Sequence, residues 1–320
     1  MKVFILFFIC TTLYSANTNV ENMNATLLLD AKAILGEGSL WHPTEKKLYW
    51  INIEKGELHI YDPATKKDQH FNLGARVGTV VPVKSGGALV ALQTGIHFID
   101  TKTGKLTLLN NPLPDNIRFN DGKCDPAGRF WVGSMGLNFK KGAASLYRFD
   151  TDKSIHTMVK DVTCSNGIVW SSDKKTMYYT DTPTGNVDAF DYDETTGNIS
   201  NRRTVVKVPE GYPDGMTIDS EDKLWVALYG GYGVAKFDPL TGKLLSKVNV
   251  PAPNVTSCAF GCDDLKTLYI TTATENMKKE DLEKYPQAGG VFSIPVGVKG
   301  VPANFYTGIL VSNAKDFIGP

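Results

Sequence analysis

Asp125-Pro126-Ala127-Gly128-Arg129-Phe130-Trp131-Val132 sets the reading of the whole chain. A Pro-Ala-Gly turn delivers the backbone into a short aromatic and branched run, as at the start of a β-strand. The same pattern recurs on both sides. Strand-like runs stand at Leu48-Tyr49-Trp50-Ile51, Ala88-Leu89-Val90-Ala91, Met177-Tyr178-Tyr179, Leu224-Trp225-Val226-Ala227 and Leu268-Tyr269-Ile270, some 40 to 48 residues apart. Turns rich in Asp, Ser, Lys and Pro precede most of them, such as His42 to Lys47, Ser171 to Lys175 and Asp219 to Lys223. A second, loosely alternating strand follows several of them, as in Leu58 to Pro63, Leu146 to Thr151, Val187 to Tyr192 and Val234 to Pro239.

Six repeats of this length, each with room for about four short strands, describe the blades of a propeller. A single four-stranded sheet cannot cover both of its apolar faces. Six stacked about an axis cover one another, and circular closure removes exposed ends. Two packed sandwiches would leave the sixfold similarity unexplained. The expected fold is therefore all-β, a six-bladed β-propeller of four-stranded antiparallel blades around a central channel. No linker or low-complexity run divides the chain, so residues 31–320 are read as one domain, with 17–30 as a lead-in. The tail from about Val301 is expected to complete or cover the first blade.

The chain of 320 residues is 42% hydrophobic and 21% charged, an ordinary globular composition. Its 34 basic and 34 acidic residues cancel, so overall charge favours neither nucleic acid nor an anionic membrane. Lys2 is followed by the apolar run Val3 to Cys10 and by small residues near Ser15-Ala16. This reads as a signal peptide over 1–16 and predicts a secreted or extracytoplasmic protein. The run is too short to span a bilayer, so no stable membrane insertion is expected. Cleavage would leave Cys124, Cys164, Cys258 and Cys262, which permits disulfides in an exported chain. Asn24-Ala-Thr, Asn198-Ile-Ser and Asn254-Val-Thr are formal glycosylation sites.

Polar side chains recur beside glycines at the entry to the repeats: Gly36-Glu37-Gly38, Asn120-Asp121-Gly122, Ser165-Asn166-Gly167 and Pro213-Asp214-Gly215. In a propeller these positions face one shared channel, so Glu37, Asn166 and Asp214 can approach a single point. Two carboxylates and an amide oxygen suit one divalent cation, Ca²⁺ first, with Mg²⁺, Mn²⁺ or Zn²⁺ as alternatives. Only five histidines occur and none forms His-Glu-x-x-His, which argues against a zinc preference. Taken singly, each of these residues reads more readily as a turn former, because Asp-Gly and Asn-Gly are ordinary turn pairs, and only their shared register in several repeats favours a site. Asp121 illustrates that reading, since it could simply brace the turn beside Asn120. No Gly-x-Ser-x-Gly element supports a serine hydrolase.

These motifs carry a resemblance. Gly36 to Trp41, Arg118 to Lys123, Asp125 to Arg129, Ser165 to Gly167, Val187 to Asp193, Pro213 to Met216 and Ala288 to Phe292 resemble the senescence-marker-protein/gluconolactonase/luciferin-regenerating-enzyme family, especially its animal regucalcin branch. The resemblance runs from about Ala33 to Val301 and implies a six-bladed propeller with one catalytic metal. It assigns Glu37, Asn166 and Asp214 to the metal, and Arg118 and Asn120 to a sugar-lactone substrate. It also makes Asp214 the candidate base. Animal members carry a glutamate after a Gly-Thr-Met segment, whereas here Gly133-Ser134-Met135 leads to Asn138 in a shorter loop. That departure bears on substrate preference more than on metal binding.

The expected activity is metal-dependent hydrolysis of a small lactone, with water attacking a polarised carbonyl and Asp214 accepting its proton. The alternatives are a phosphotriesterase acting on organophosphates and a non-catalytic extracellular calcium-binding propeller. The expected partner is a small-molecule lactone.

Overall fold

The computed structural model describes residues 21–310. The signal-peptide reading of 1–16 lies outside the described residues. The fold is all-β and propeller-like, built of four-stranded antiparallel units. The first four units are separate sheets, beginning with inner strands Gly36–His42, Val77–Pro82, Ile117–Cys124 and Ser165–Trp170. The fifth and sixth begin with Tyr212–Ile218 and Asn254–Gly261 and are joined into one larger sheet by the pairing of Tyr229 with Asn254. Each inner strand packs on the next in chain order, and the sixth packs back on the first.

The second strand of each unit explains why its sequence is continuously apolar. Along Lys47–Asn52, Leu48 and Trp50 face a cluster containing Tyr269 and Val291 of the sixth unit. Tyr49 and Ile51 face the other way, onto Val77, Val80 and Val90 of the second unit. The period-two alternation persists, but both faces are buried, so no polar residue interrupts the run. In the third unit, Phe130 and Val132 meet Leu89 and Ala91 of the second, while Trp131 meets Ile168 and Tyr179 of the fourth. The core is thus a set of interfaces between neighbouring units, and each fully buried aromatic there contributes about 2–3 kcal/mol.

Polar braces fix the turns that enter these strands. Asp125, fully buried, accepts from Trp131 Nε1 at 3.0 Å, Tyr192 Oη at 2.8 Å and Arg129 Nη1 at 3.0 Å. Asp219 repeats the device in the fifth unit, accepting from Trp225 Nε1 at 3.0 Å and pairing with Lys236 at 2.9 Å. Gly128 closes the first of these turns at φ 83°, a conformation open to glycine at little cost.

Closure of the chain differs from the sequence expectation. The fourth strand of the sixth unit is Thr26–Leu29, antiparallel to Val291–Pro295, and it comes from the segment read as a lead-in. Glu21–Asn24 adds a parallel strand to the outer edge of the fifth unit. The tail after Val301 adds no strand to the first unit but packs on it, with Phe305 edge-on to His42 at a centroid distance of 5.3 Å and Ala303 against the cluster that holds Leu40 and Tyr49. Its Tyr306 is fully buried against Phe149, donates from its hydroxyl to the Asp150 carbonyl at 2.9 Å, and donates from its backbone N–H to the Pro82 carbonyl at 2.8 Å. An aromatic anchor in the second and third units therefore holds the tail.

The cysteines and the glycosylation triplets, left open by the sequence, have definite places. Cys124, Cys164, Cys258 and Cys262 are all unpaired thiols, the first three of them buried in inner strands or beside them. Asn254 is buried in its strand with its amide donating to the Glu275 carbonyl, so this sequon is inaccessible, whereas Asn24 and Asn198 are exposed. Among the described residues no helix is long and apolar enough to cross a membrane.

Candidate metal and substrate site

All six inner strands carry a bulge, one residue more than the partner strand, near the same height. The interruption falls between Glu37 and Leu40, Val77 and Thr79, Phe119 and Gly122, Ser165 and Ile168, Pro213 and Met216, and Val255 and Ser257. A bulge leaves its extra residue outside the ladder and re-aims the side chains beside it. The adjacent glycines are imposed by crowding between inner strands. A Cβ on Gly167 would lie 2.7 Å from the Asp214 carbonyl oxygen, and one on Gly215 would lie 2.9 Å from the Thr256 carbonyl oxygen. The recurrent Asn-Gly and Asp-Gly pairs are therefore strand bulges rather than hairpin turns.

Four of these bulges open on one cavity of about 390 Å³. Glu37, Arg118, Asn120, Asn166 and Asp214 all line it, although they come from the first, third, fourth and fifth units. Every one of the five is buried. Arg118 Nη1 donates to Asn120 Oδ1 at 2.7 Å and to its neighbour's carbonyl, that of Phe119, at 2.9 Å. Asn120 Nδ2 in turn donates to Asn166 Oδ1 at 3.2 Å and to the Ser165 carbonyl at 2.8 Å. Asn166 Nδ2 donates to Thr182 Oγ1 at 2.7 Å, and Thr182 donates to the Pro213 carbonyl at 2.9 Å. This chain fixes the amide orientation of Asn166 and leaves its Oδ1 as the acceptor edge.

The carboxylates are less well served. Glu37 Oε2 accepts from the Gly38 N–H at 2.9 Å. Asp214 Oδ1 is buried without any hydrogen-bond partner. Burial drives both pKa values upward, and the charges of Glu37 and Asp121 push Asp214 further in the same direction. Glu37 is raised to about 8, first by desolvation and then by Asp121. Paired buried carboxyls with an orphaned oxygen are costly unless a proton or a cation sits between them. Two carboxylates and the Asn166 amide oxygen make a hard-oxygen donor set that fits a divalent ion such as Ca²⁺. The third donor is an amide, and no cluster of three or more His, Cys, Asp or Glu side chains occurs among the described residues.

Asp121 does not line the cavity. Its Oδ1 accepts from the Gly122 N–H at 2.7 Å, and its Oδ2, buried, has no partner. Asn138 also misses the cavity, since its side chain accepts from the Lys140 N–H at 3.2 Å; Phe139 reaches the lining from that loop instead. Sequence reasoning missed Thr182, Tyr229 and Glu275 as well, which lie in a one-turn helix, at a strand end and in a loop. None belongs to the repeated glycine register that marked the other residues. No histidine lines the cavity, and burial holds the Cys164 thiol well above its usual range, so neither a His base nor a thiolate nucleophile is available there.

Comparison with known proteins matches this arrangement to a family. Residues 35–274 match the SMP-30/Gluconolactonase/LRE-like region. Regucalcin of Danio rerio is 41% identical over 296 residues, covering 90% of this chain and 100% of that protein. The Bacillus subtilis protein described as "Putative sugar lactone lactonase YvrE" is 39% identical over 282 residues, covering 87% and 97%. Among solved structures, a luciferin-regenerating enzyme superposes with a TM-score of 0.83 at 32% identity, over 89% of this chain and 100% of that one. The calcium-binding protein regucalcin of Agrobacterium tumefaciens gives 0.85 at 27% identity, over 89% and 98%. With relatives near 40% identity aligned along nearly their whole length, the chain belongs to the SMP-30/gluconolactonase/LRE-like family.

Proposed function

We propose that the protein is a six-bladed β-propeller whose channel mouth houses a divalent-metal-dependent hydrolase of small lactones. Aldonolactones such as D-glucono-1,5-lactone are the first class to test, given the name of the Bacillus relative. The observation that carries the reading is the convergence of Glu37, Asn166 and Asp214 from three units, with Asp214 Oδ1 buried and unpartnered.

Glu37, Asn166 and Asp214 would hold the ion, which supplies Lewis-acid polarisation of a carbonyl oxygen and eases ionisation of a nearby water. Asp214 accepts the proton of the attacking water from its free oxygen edge. Arg118, held by its 2.7 Å hydrogen bond to Asn120, presents its remaining guanidinium donors toward the ring oxygens and the carboxylate that forms as the ring C–O bond breaks, and Asn120 shapes the substrate wall beside it. Thr182 keeps Asn166 from rotating. The half-buried Glu275, its carboxyl raised by burial, lines the cavity between the first and fifth units.

A second reading is a non-catalytic calcium-binding protein. It is favoured by the 27% identical regucalcin described as calcium-binding and by a lining that holds no histidine. One panel separates the two. Lactones and phosphotriesters are assayed with Ca²⁺, Mg²⁺, Mn²⁺ or Zn²⁺, for the parent chain, Glu37→Gln and Asp214→Asn. Metal-dependent lactone turnover lost in both variants supports the lactonase. Metal binding without turnover of any ester supports the calcium-binding reading, and turnover of phosphotriesters alone would move the assignment to that chemistry. Export is proposed on the leader over 1–16, and N-terminal sequencing of protein recovered from the medium tests it.

A further inference from the structure

The floor and the mouth of the cavity differ in chemistry. The floor carries the charged and amide groups, with Arg118 and Asn120 beside the carboxylates among buried Leu35, Met135 and Cys164. Around the mouth, three consecutive units contribute Phe139, Pro183 and Tyr212, all exposed and all in the cavity lining. Phe139 is 52% exposed and Tyr212 is 56% exposed. Large aromatic side chains left that open at the entrance of a built cavity mark a place where apolar ligand surface is covered. The position of Phe139 is also held against local preference. Its φ is 56°, a left-handed conformation that bulky residues rarely adopt, and its N–H donates to the Gly136 carbonyl at 2.9 Å to close the loop. Tyr212 stands two residues before Asp214 on the same strand, and both side chains line the cavity. Across the mouth, Glu275 and Asn276 leave the sixth-unit side polar.

We infer that the site takes an amphipathic lactone, whose ester ring rests on the polar floor while an alkyl or aryl substituent lies against Phe139, Pro183 and Tyr212. This rests on the lactonase reading and narrows it. Along that arc the Thr182 and Tyr229 hydroxyls are engaged with protein groups, so a ring hydroxylated at every carbon would meet chiefly the Tyr212 hydroxyl, whereas an apolar substituent there loses no hydrogen bonds. Hydrolysis adds water across the acyl C–O bond and leaves a hydroxy acid that keeps the substituent.

The test uses the metal-loaded full chain with δ-valerolactone, δ-decalactone and D-glucono-1,5-lactone, together with Phe139→Ala and Phe139→Leu. The expected kcat/KM for δ-decalactone exceeds that for δ-valerolactone by roughly tenfold, as apolar contacts of a few methylenes at a half-open site allow. In Phe139→Ala that ratio falls to about one, and Phe139→Leu restores most of it. A ratio near one in the parent chain, or one that Phe139→Ala leaves unchanged, overturns the inference. Calorimetry with the unreactive analogues 2-piperidone and 6-pentyl-2-piperidone keeps the two readings apart. If no lactone is hydrolysed, the lactonase reading fails. Tighter binding of the pentyl analogue, lost in Phe139→Ala, would then still support the amphipathic site, and equal binding of the two analogues would overturn it.

Discussion

The inner strands of the second and sixth units bulge at the same height as the other four, yet they bring no acid or amide side chain to the cavity. Their polar groups are spent on the scaffold. Thr79 Oγ1 donates to the Gly122 carbonyl, Thr256 Oγ1 donates to the Gly36 carbonyl, and Ser257 Oγ accepts from the Ser39 N–H. In the first and fifth units the corresponding side chains are Glu37 and Asp214, which crowd together with one oxygen unpartnered. The bulge and its glycines therefore belong to the packing of inner strands, and the side chain beside the bulge decides whether a unit contributes to chemistry. Asp-Gly or Asn-Gly by itself identifies neither.

The contrast is sharpest at Asp214. Asp214→Asn keeps the shape but removes a charge and a proton acceptor, so metal-dependent lactone turnover is expected to fall by about 10³-fold or more in steady-state assays. The folded structure should survive, since the buried repulsion with Glu37 is relieved. A second substitution probes the scaffold half of the comparison. Gly78→Ala lies in a unit without site residues, but its Cβ would meet the Phe119 carbonyl carbon and oxygen at 2.6 Å and the Asn120 nitrogen at 2.7 Å. A loss of about 2–3 kcal/mol in denaturant unfolding is expected, comparable to Gly167→Ala, because backbone rather than a flexible side chain must yield.

Titration separates the site from the scaffold without mutation. In the metal-free protein Glu37 is raised from 4.5 to about 8, so between those values the folded state binds more protons than the unfolded state. Its contribution to stability is complete below pH 4.5 and is lost as pH rises through about 8. The metal-free melting temperature is expected to fall across that window, while metal binding strengthens as the competing proton leaves. Equal pH dependence in Glu37→Gln would contradict this. The smallest effect is expected far from the cavity. Trp225→Phe removes one donor from Asp219, which keeps Lys236 and two backbone N–H partners, and costs about 1 kcal/mol with turnover unchanged.

Much of the architecture was legible because apolar runs such as Leu48 to Ile51 are buried on both faces and recur every 40 to 48 residues. The closing strand was not. Thr26–Leu29 has four residues and only a half-buried pattern, and nothing in its composition distinguishes a sheet edge from a linker. The buried sequon at Asn254 misled for a related reason, since the Asn-x-Thr triplet carries no record of lying in a strand. Within the site, Glu37, Arg118, Asn120, Asn166 and Asp214 could be named together because four of them sit in or beside a repeated glycine motif and Arg118 adjoins it. Phe139, Thr182 and Glu275 reach the cavity from irregular backbone, and loop conformation is set by contacts that no local pattern encodes. Asn138 was singled out by its position relative to the family pattern, but the left-handed turn at Phe139 gives the cavity the next residue instead.

The most direct measurement is a calorimetric titration of the metal-stripped chain with Ca²⁺, Mg²⁺, Mn²⁺ and Zn²⁺, beside Glu37→Gln, Asn166→Ala and Asp214→Asn. One ion per chain is expected, with affinity at least about 100-fold weaker in each variant, because each removes a donor from a three-residue set. Uptake of no ion, or binding in all three variants as tight as in the parent chain, would contradict a shared cation held between the first, fourth and fifth units.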